Sequence, residues 1–218
     1  MTAADPVPYD RFFSLCAKAS RRHGKILSLP VGLQPFEYLR RAYNERYRGG
    51  RVLDFGCGVQ KPLQSVLGVG SDCYHCCDTD SSGSFTFRSL DDVPDGAAYE
   101  IVASNQAFEH LGFEEGIRAG LRLAGCVARG GILQIGVVNP QHPTRQMSNP
   151  THKTPWNYLN LCAVMELGGL EPFYCARCNK TPGPRWYERP LIGMMCRIFR
   201  MDWCDTVYAV GRRPAEDD

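Results

Sequence analysis

The chain has 218 residues, 44% of them apolar, enough for one domain with a sizeable core. No apolar run approaches membrane-spanning length, and eleven cysteines, an odd number with no signal peptide before them, read as reduced thiols of a cytoplasmic protein rather than a disulfide framework. A formal net charge of +2 speaks neither for nor against nucleic acid, but it is unevenly spread: residues 1–51 carry ten Lys/Arg against four Asp/Glu, and residues 71–100 seven Asp/Glu against one Arg.

Residues 1–8 are polar and proline-containing and resemble no targeting segment. Residues 9–20 are predicted to be a helix with Phe12, Phe13 and Cys16 as a rough apolar stripe. A second helix is predicted over 35–47: Pro35 opens it, Phe36, Leu39, Tyr43 and Tyr47 recur at helical spacing, and Gly49-Gly50 ends it. Pro30 and Gly32 mark the linker between them. The arginines of this segment are dispersed, so a solvated helix surface is favoured over a phosphate-binding one.

Arg51-Val52-Leu53-Asp54-Phe55-Gly56-Cys57-Gly58 is a short strand entering a Gly-x-Gly turn. Neither glycine has a Cβ, so the backbone can bend tightly and approach a ligand. Pro62 suits the first turn of the helix that follows, where a missing N–H costs nothing. Strand, glycine turn and helix open a nucleotide-type site in a doubly wound α/β sheet. Asp78 stands 20 residues after Gly58, at the end of the next predicted strand (73–77), where a carboxylate can accept both hydroxyls of a ribose. A dinucleotide fingerprint requires a third small residue three positions after Gly58; Lys61 occupies it, which argues against NAD.

Further strands are predicted at 84–88, with Phe85 and Phe87 alternating, at Tyr99–Ser104 and at Ile132–Val138, the last dense enough to be buried on both faces. Asn105 and Gln106 follow the strand at 99–104, at the carboxyl edge where open α/β sheets bind ligands. A helix is predicted over 113–128, stopped by Gly130-Gly131. Asn139–Lys153 is a polar loop carrying His142 and His152. Thr154 and Pro155 have the chemistry of a helix start, and Gly168-Gly169 of its end. A strand over 170–177, a Pro/Gly/Arg loop over 179–190, a short basic helix over 191–200 and a last strand from Thr206 to Gly211 complete the chain.

Val52-Leu53-Asp54-Phe55-Gly56-Cys57-Gly58 resembles motif I of the class I S-adenosylmethionine-dependent methyltransferases, in a small-molecule branch like that of ubiquinone and natural-product biosynthesis. The resemblance continues through Asp78, the Tyr99-Glu100-Ile101-Val102 strand and Asn105-Gln106-Ala107-Phe108-Glu109-His110-Leu111, covering about residues 50–213 in order. It departs where the family usually has Phe-Asp and this chain has Tyr99-Glu100. The resemblance implies a doubly wound, seven-stranded, mostly parallel sheet with an antiparallel last strand, the Rossmann-like methyltransferase fold. It divides the single domain into an N-terminal helical cap (1–50), a cofactor half (51–138) and a substrate half (139–213) with an insertion at 179–203.

The implied cofactor is S-adenosylmethionine, held by Asp54, Gly56, Cys57, Gly58, Asp78, Thr79, Asn105 and Gln106. Asp91 or Asp92 would meet the adenine amino group. In the family the N-terminal helices lie over the cofactor, so Tyr9, Phe12 or Phe13 are candidates to face the sulfonium. Asn149-Pro150-Thr151-His152 resembles a histidine pattern of the family, making His152 the first candidate for a catalytic base. His110 is its rival and His142 ranks below both. Trp156, Tyr158 and Trp186 are candidate walls of an acceptor pocket.

Methyl transfer is an in-line displacement at a sulfonium carbon with a good leaving group, so alignment supplies much of the acceleration. A hydroxyl acceptor also needs a base, and a histidine suits that near neutral pH. The expected activity is methyl transfer to a small-molecule acceptor, most simply a hydroxyl oxygen, with no membrane and no nucleic acid involved. Methylation of RNA or protein, and cofactor binding without transfer, are the alternatives. Cys73-x-x-Cys76-Cys77 and Cys175-x-x-Cys178 have the spacing of two zinc half-sites, but Cys76 and Cys77 fall in a predicted strand, where cysteine packs as a small hydrophobe. No metal is predicted.

Overall fold

Alternation along the central strands sorts their side chains onto two faces of one sheet. Leu53, Val102, Leu133, Val207 and Ala209 pack in one buried cluster, and Val52, Ile101, Ala103, Ile132 and Val210 in another. Strands apolar on both faces need helices on both sides, and the chain supplies them. The computed structural model describes residues 6–32, 34–179 and 185–215. The elements are α1 (Tyr9–His23), β1 (Val31–Gly32), α2 (Glu37–Glu45), β2 (Val52–Phe55), α3 (Pro62–Leu67), β3 (Tyr74–Cys77), β4 (Tyr99–Asn105), α4 (Phe113–Gly125), β5 (Val127–Val138), α5 (Tyr158–Leu167), β6 (Glu171–Cys178), α6 (Arg189–Phe199) and β7 (Thr206–Arg212). Phe12 of α1, Ile117 of α4 and Leu161 of α5 join the first cluster; Leu39 of α2 and Leu63 of α3 join the second.

The seven-stranded sheet has the order β1-β6-β7-β5-β4-β2-β3. β7 runs antiparallel to both β5 and β6, and the remaining pairs are parallel. The sequence β5-β4-β2-β3 reverses direction between β4 and β2, which opens a crevice at their carboxyl ends. Among the described residues no helix is long and apolar enough to cross a membrane.

Seven strands were expected, but one of the seven is different. Residues 84–88 form no strand: Phe87 makes a single bridge to Cys77, and the Thr86 hydroxyl takes the Cys76 N–H that a neighbouring carbonyl would need. Arg88 binds the carbonyls of Asp80 and Gly83 and curls the segment into a loop. At the opposite edge Val31–Gly32 adds a two-residue strand to β6, which the Pro/Gly linker composition conceals.

Helix α4 stops at Gly125 rather than near 128, because β5 begins at Val127. Gly130-Gly131 lies inside that strand, not after the helix. Gly130 takes φ +71° and its N–H bonds Arg213 O, while a β-bulge shifts the pairing with β4 between Tyr99 and Ile101. Helix α5 starts at Tyr158, capped by Asn157, whose side chain accepts from the N–H groups of Leu159 and Asn160. Thr154 is not the cap; its hydroxyl donates to Leu111 O at 2.8 Å.

α1 lies along α5, joined by Tyr158 Oη to Gly24 O and by Asn160 Nδ2 to Cys16 Sγ. Phe12 is accordingly buried in the core and Phe13 is exposed. Tyr9 stacks on Phe113 and donates to Glu114. Trp156 and Tyr158 are also buried core residues, and Trp186 is exposed, so these three do not form one acceptor pocket. Residues 180–184 of the Pro/Gly/Arg loop lie outside the described residues.

Candidate functional site

A cleft of about 960 Å³ occupies the crevice at the carboxyl ends of β2, β3 and β4. Gly56 and Gly58 form its floor after β2. Gly56 takes φ +70°, and a Cβ there would lie 2.4 Å from that of Ala107, so the turn and the loop after β4 can touch only because position 56 is glycine. Asp78 follows β3 and locks the turn: its Oδ2 accepts from Gly58 N at 2.8 Å, and its Oδ1 accepts from Asp80 N at 3.0 Å. Thr79 lines the cleft beside it.

The two adjacent acids are separated by their surroundings. Asp92 accepts from Ser89 N at 2.8 Å and from Arg88 N at 3.1 Å, closing a capping box on the 3₁₀ turn Leu90–Asp92. Asp91 lines the cleft. Gln106 also lines it, held at φ +58°, with its N–H on Gly136 O at 2.8 Å and Nε2 on Thr206 Oγ1 at 3.2 Å. A non-glycine residue in the left-handed region at a strand end is a local strain that the surrounding bonds hold in place.

Three sequence candidates are placed elsewhere. Asp54 is 3% exposed, away from the cleft, and accepts from Tyr74 Oη. Burial pushes its carboxyl up to about 7, opposed by the Tyr74 hydrogen bond and reinforced by the charge of Asp78. Cys57 is buried against the α3 side of the sheet, and burial pushes its thiol far above the usual range. Asn105 Oδ1 is buried without a hydrogen-bond partner and sits against Gly136, its partner across β5. The strand pleat accounts for the first case: Phe55 reaches the cleft, so its neighbour Asp54 points to the opposite side.

His110 lines the same cleft, at the end of a 3₁₀ turn Phe108–His110 after β4. It stands against His152, with ring centroids 5.0 Å apart. Glu109 completes a cluster in which one ligand atom from each of the three residues lies within 4.8 Å of the others. Glu109 is 1% exposed; its Oε1 takes Val138 N at 3.4 Å, and its Oε2 has no hydrogen-bond partner. Burial pushes this carboxyl above its ordinary value, while its own backbone, His110, the Val138 N–H and His152 pull it the other way. The loop holding His152 is pinned here, since Lys153 N and Thr154 N both donate to Glu109 O. His142 stands apart, packed on Trp203 at 5.3 Å.

Sequence reasoning paired His110 with His152 as rivals and did not include Glu109. The adjacency Glu109-His110 was the available signal; the burial that makes it matter is a tertiary property. The two cysteine half-sites do not meet: Cys76 and Cys77 lie on β3 and Cys175 and Cys178 on β6, with four strands between. At about 4.8 Å per strand that is roughly 24 Å.

No family model and no curated protein matches the chain. Solved structures do. A SAM dependent methyltransferase from Archaeoglobus fulgidus is 19% identical over 81% of this chain and 94% of its own, at a TM-score of 0.58. The chain has the S-adenosylmethionine-dependent methyltransferase fold. A chain from the complex of the Haloferax volcanii Trm112 methyltransferase activator matches at 17% identity, over 96% of this chain and 98% of its own, at 0.60. The [4+2]-cyclase SpnF matches at 16% identity, over 82% and 81%, at 0.55. The methyltransferase fold therefore also carries other chemistry, and the site has to decide the reaction.

Proposed function

We propose that the chain is an enzyme that transfers a methyl group from S-adenosylmethionine to a small-molecule acceptor, at a hydroxyl oxygen. From the cleft wall Asp78 would meet the ribose and Asp91 the adenine amino group, and Gly56 and Gly58 would let the cofactor approach the backbone. Gln106 and the loop after β4 would position the methionine end. Asp92 closes the Leu90–Asp92 turn beside the cleft, and Asp54 ties β2 to β3 through Tyr74.

The observation that carries the proposal is the cluster of Glu109, His110 and His152, of which His110 lines the same cleft as the glycine turn. His110 Nδ1 faces Thr151 O at 3.3 Å and Thr151 Oγ1 at 2.9 Å, and the Thr151 hydroxyl itself donates to Asn149 Oδ1 at 2.8 Å. His152 Nδ1 faces Gln146 O at 3.0 Å. Acceptors on both sides make each Nδ1 the donor, so in the neutral rings Nε2 carries the lone pair. A proton acceptor beside the methyl donor suits a hydroxyl better than an amine, which needs only alignment. The 139–213 half would supply the acceptor side, and the cytoplasmic placement rests on the cysteine count given above.

Purified protein incubated with S-adenosylmethionine and fractionated small-molecule extract should release S-adenosylhomocysteine and yield a product heavier by one methylene that keeps no free hydroxyl at that position. Methylation confined to an RNA or protein fraction would refute the small-molecule acceptor.

A further inference from the structure

We infer that Glu109, His110 and His152 form a binding site for a first-row divalent metal ion, open to the cleft. The sequence predicts no metal, because its metal-like spacing lies in the cysteines; this donor set is assembled from the 3₁₀ turn after β4 and a loop some forty residues on.

Three independent features meet here. One carboxylate oxygen of the acid and one ring nitrogen of each imidazole already lie within 4.8 Å of one another. A zinc-like ion with bonds of about 2.0–2.2 Å needs them roughly 3.0–3.5 Å apart, so closing on it takes about an ångström of movement by two partly exposed rings. Second, Glu109 Oε2 is buried with no donor, and a carboxylate so placed is costly unless a cation or a proton meets it. Third, both rings are oriented from behind. Nδ1 of His110 donates to Thr151 and Nδ1 of His152 to Gln146 O, which leaves each Nε2 lone pair available. Metal-ligating histidines are held in this way, with the remote N–H on a carbonyl or hydroxyl.

Two imidazoles and one carboxylate select Mn²⁺, Fe²⁺, Co²⁺ or Zn²⁺ over Mg²⁺ and Ca²⁺, which prefer all-oxygen sets. Three protein ligands leave further positions open, and His110 puts them on the cleft wall. What the ion does there rests on the proposed methyl transfer. An acceptor hydroxyl bound to it loses its proton to solvent. The resulting oxyanion forms a bond to the methyl carbon as the carbon–sulfur bond breaks, giving the methyl ether and S-adenosylhomocysteine. In this state Nε2 of each histidine is a ligand, and the ion replaces the imidazole as the agent that makes the oxygen nucleophilic.

Binding is tested without cofactor or acceptor. Full-length protein stripped with chelator and titrated with Mn²⁺ in a calorimeter should bind one equivalent, and Co²⁺ should give visible absorption bands of a nitrogen- and oxygen-ligated site. Glu109→Gln and His152→Ala should each weaken binding at least roughly ten-fold, with thermal melts reporting that both fold. His152 is partly exposed, so its variant keeps the test informative if Glu109→Gln does not fold. No binding at millimolar Mn²⁺, Co²⁺ or Zn²⁺ would overturn the inference. So would binding that survives His152→Ala and is lost in Cys162→Ser, which would put the ion at His23, Cys162 and Cys175. S-adenosylhomocysteine titrated into the stripped protein reads the cofactor separately. Cofactor binding without metal binding refutes the metal site alone, and metal binding without cofactor binding refutes the methyltransferase assignment alone.

Discussion

Gly56→Ala should destabilise the protein far more than Gly58→Ala, although the two glycines share a turn and a cleft. Gly56 has φ +70° and Gly58 φ +62°, so an L side chain costs about 1–2 kcal/mol of backbone strain at either position. The surroundings differ. A Cβ at 56 would stand 2.4 Å from Ala107 Cβ, whereas one at 58 would have nothing within 4 Å. Carbon atoms settle at about 3.5–4.0 Å, so the first contact forces the loop after β4 to move, an overpacking cost of about 1–3 kcal/mol. The totals are about 2–5 kcal/mol at 56 and about 1–2 at 58. At about 2–4 °C per kcal/mol for a chain of this size, Tm falls by roughly 4–20 °C in the first case and 2–8 °C in the second. Calorimetric melts of both variants, with urea midpoints as a check, measure the difference. Ala107→Gly in the Gly56→Ala background should recover the packing part and leave the strain, a coupling of about 1–3 kcal/mol in a double-mutant cycle. Equal melting temperatures for the two glycine variants, or no coupling to position 107, would refute the close approach.

Asp78→Ala should weaken S-adenosylhomocysteine binding by about 1.5–3 kcal/mol for each charge-assisted hydrogen bond lost, read by calorimetry on folded protein; unchanged affinity would remove it from the ribose site. Asp54→Asn tests the buried acid through pH. Its folded value near 7 lies above the unfolded one, so the native state holds the proton more tightly, and this stabilisation is complete below about pH 4 and lost as pH rises through 7. Wild type should therefore lose stability relative to Asp54→Asn between pH 4 and 7, by up to about 4 kcal/mol at 1.36 kcal/mol per pKa unit, in urea titrations; a constant difference would contradict it. His152→Ala should leave cofactor affinity nearly unchanged and lower turnover by about 10²–10⁴-fold, whether the ring takes the proton or holds the ion; full turnover in that variant would remove His152 from the chemistry.

What could be read from the sequence was local chemistry. The Gly56–Gly58 turn, Pro62 at the first position of α3 and Asp78 after β3 are short-range patterns, and all lie where the spacing put them. What could not be read was decided by partners far along the chain. Val31–Gly32 is a strand only because β6 offers an edge, and 84–88 is not one because Thr86 and Arg88 bind the backbone through side chains. Gly130-Gly131 has the chemistry of a helix stop, yet β5 takes it in as a bulge beside Arg213. In the site, Asp91 and Asp92 were indistinguishable until the capping box claimed the second. Asp54 fell within the resembling motif but faces Tyr74, because one step along a strand changes faces. Glu109 was read only as part of the resembling motif, because an acid next to a histidine is ordinary until burial removes its water.

The most direct test of the central claim is a calorimetric titration of the full-length protein with S-adenosylmethionine and, separately, with NAD. Lys61 stands where a dinucleotide turn needs a small residue, at φ +46° with its Nζ on Ser84 O at 2.6 Å, while Asp78 and Asp91 line the cleft. S-adenosylmethionine should bind at one site per chain, weakened by Asp78→Ala, and NAD should give no heat of binding. Binding of NAD with no response to S-adenosylmethionine would contradict the methyltransferase assignment.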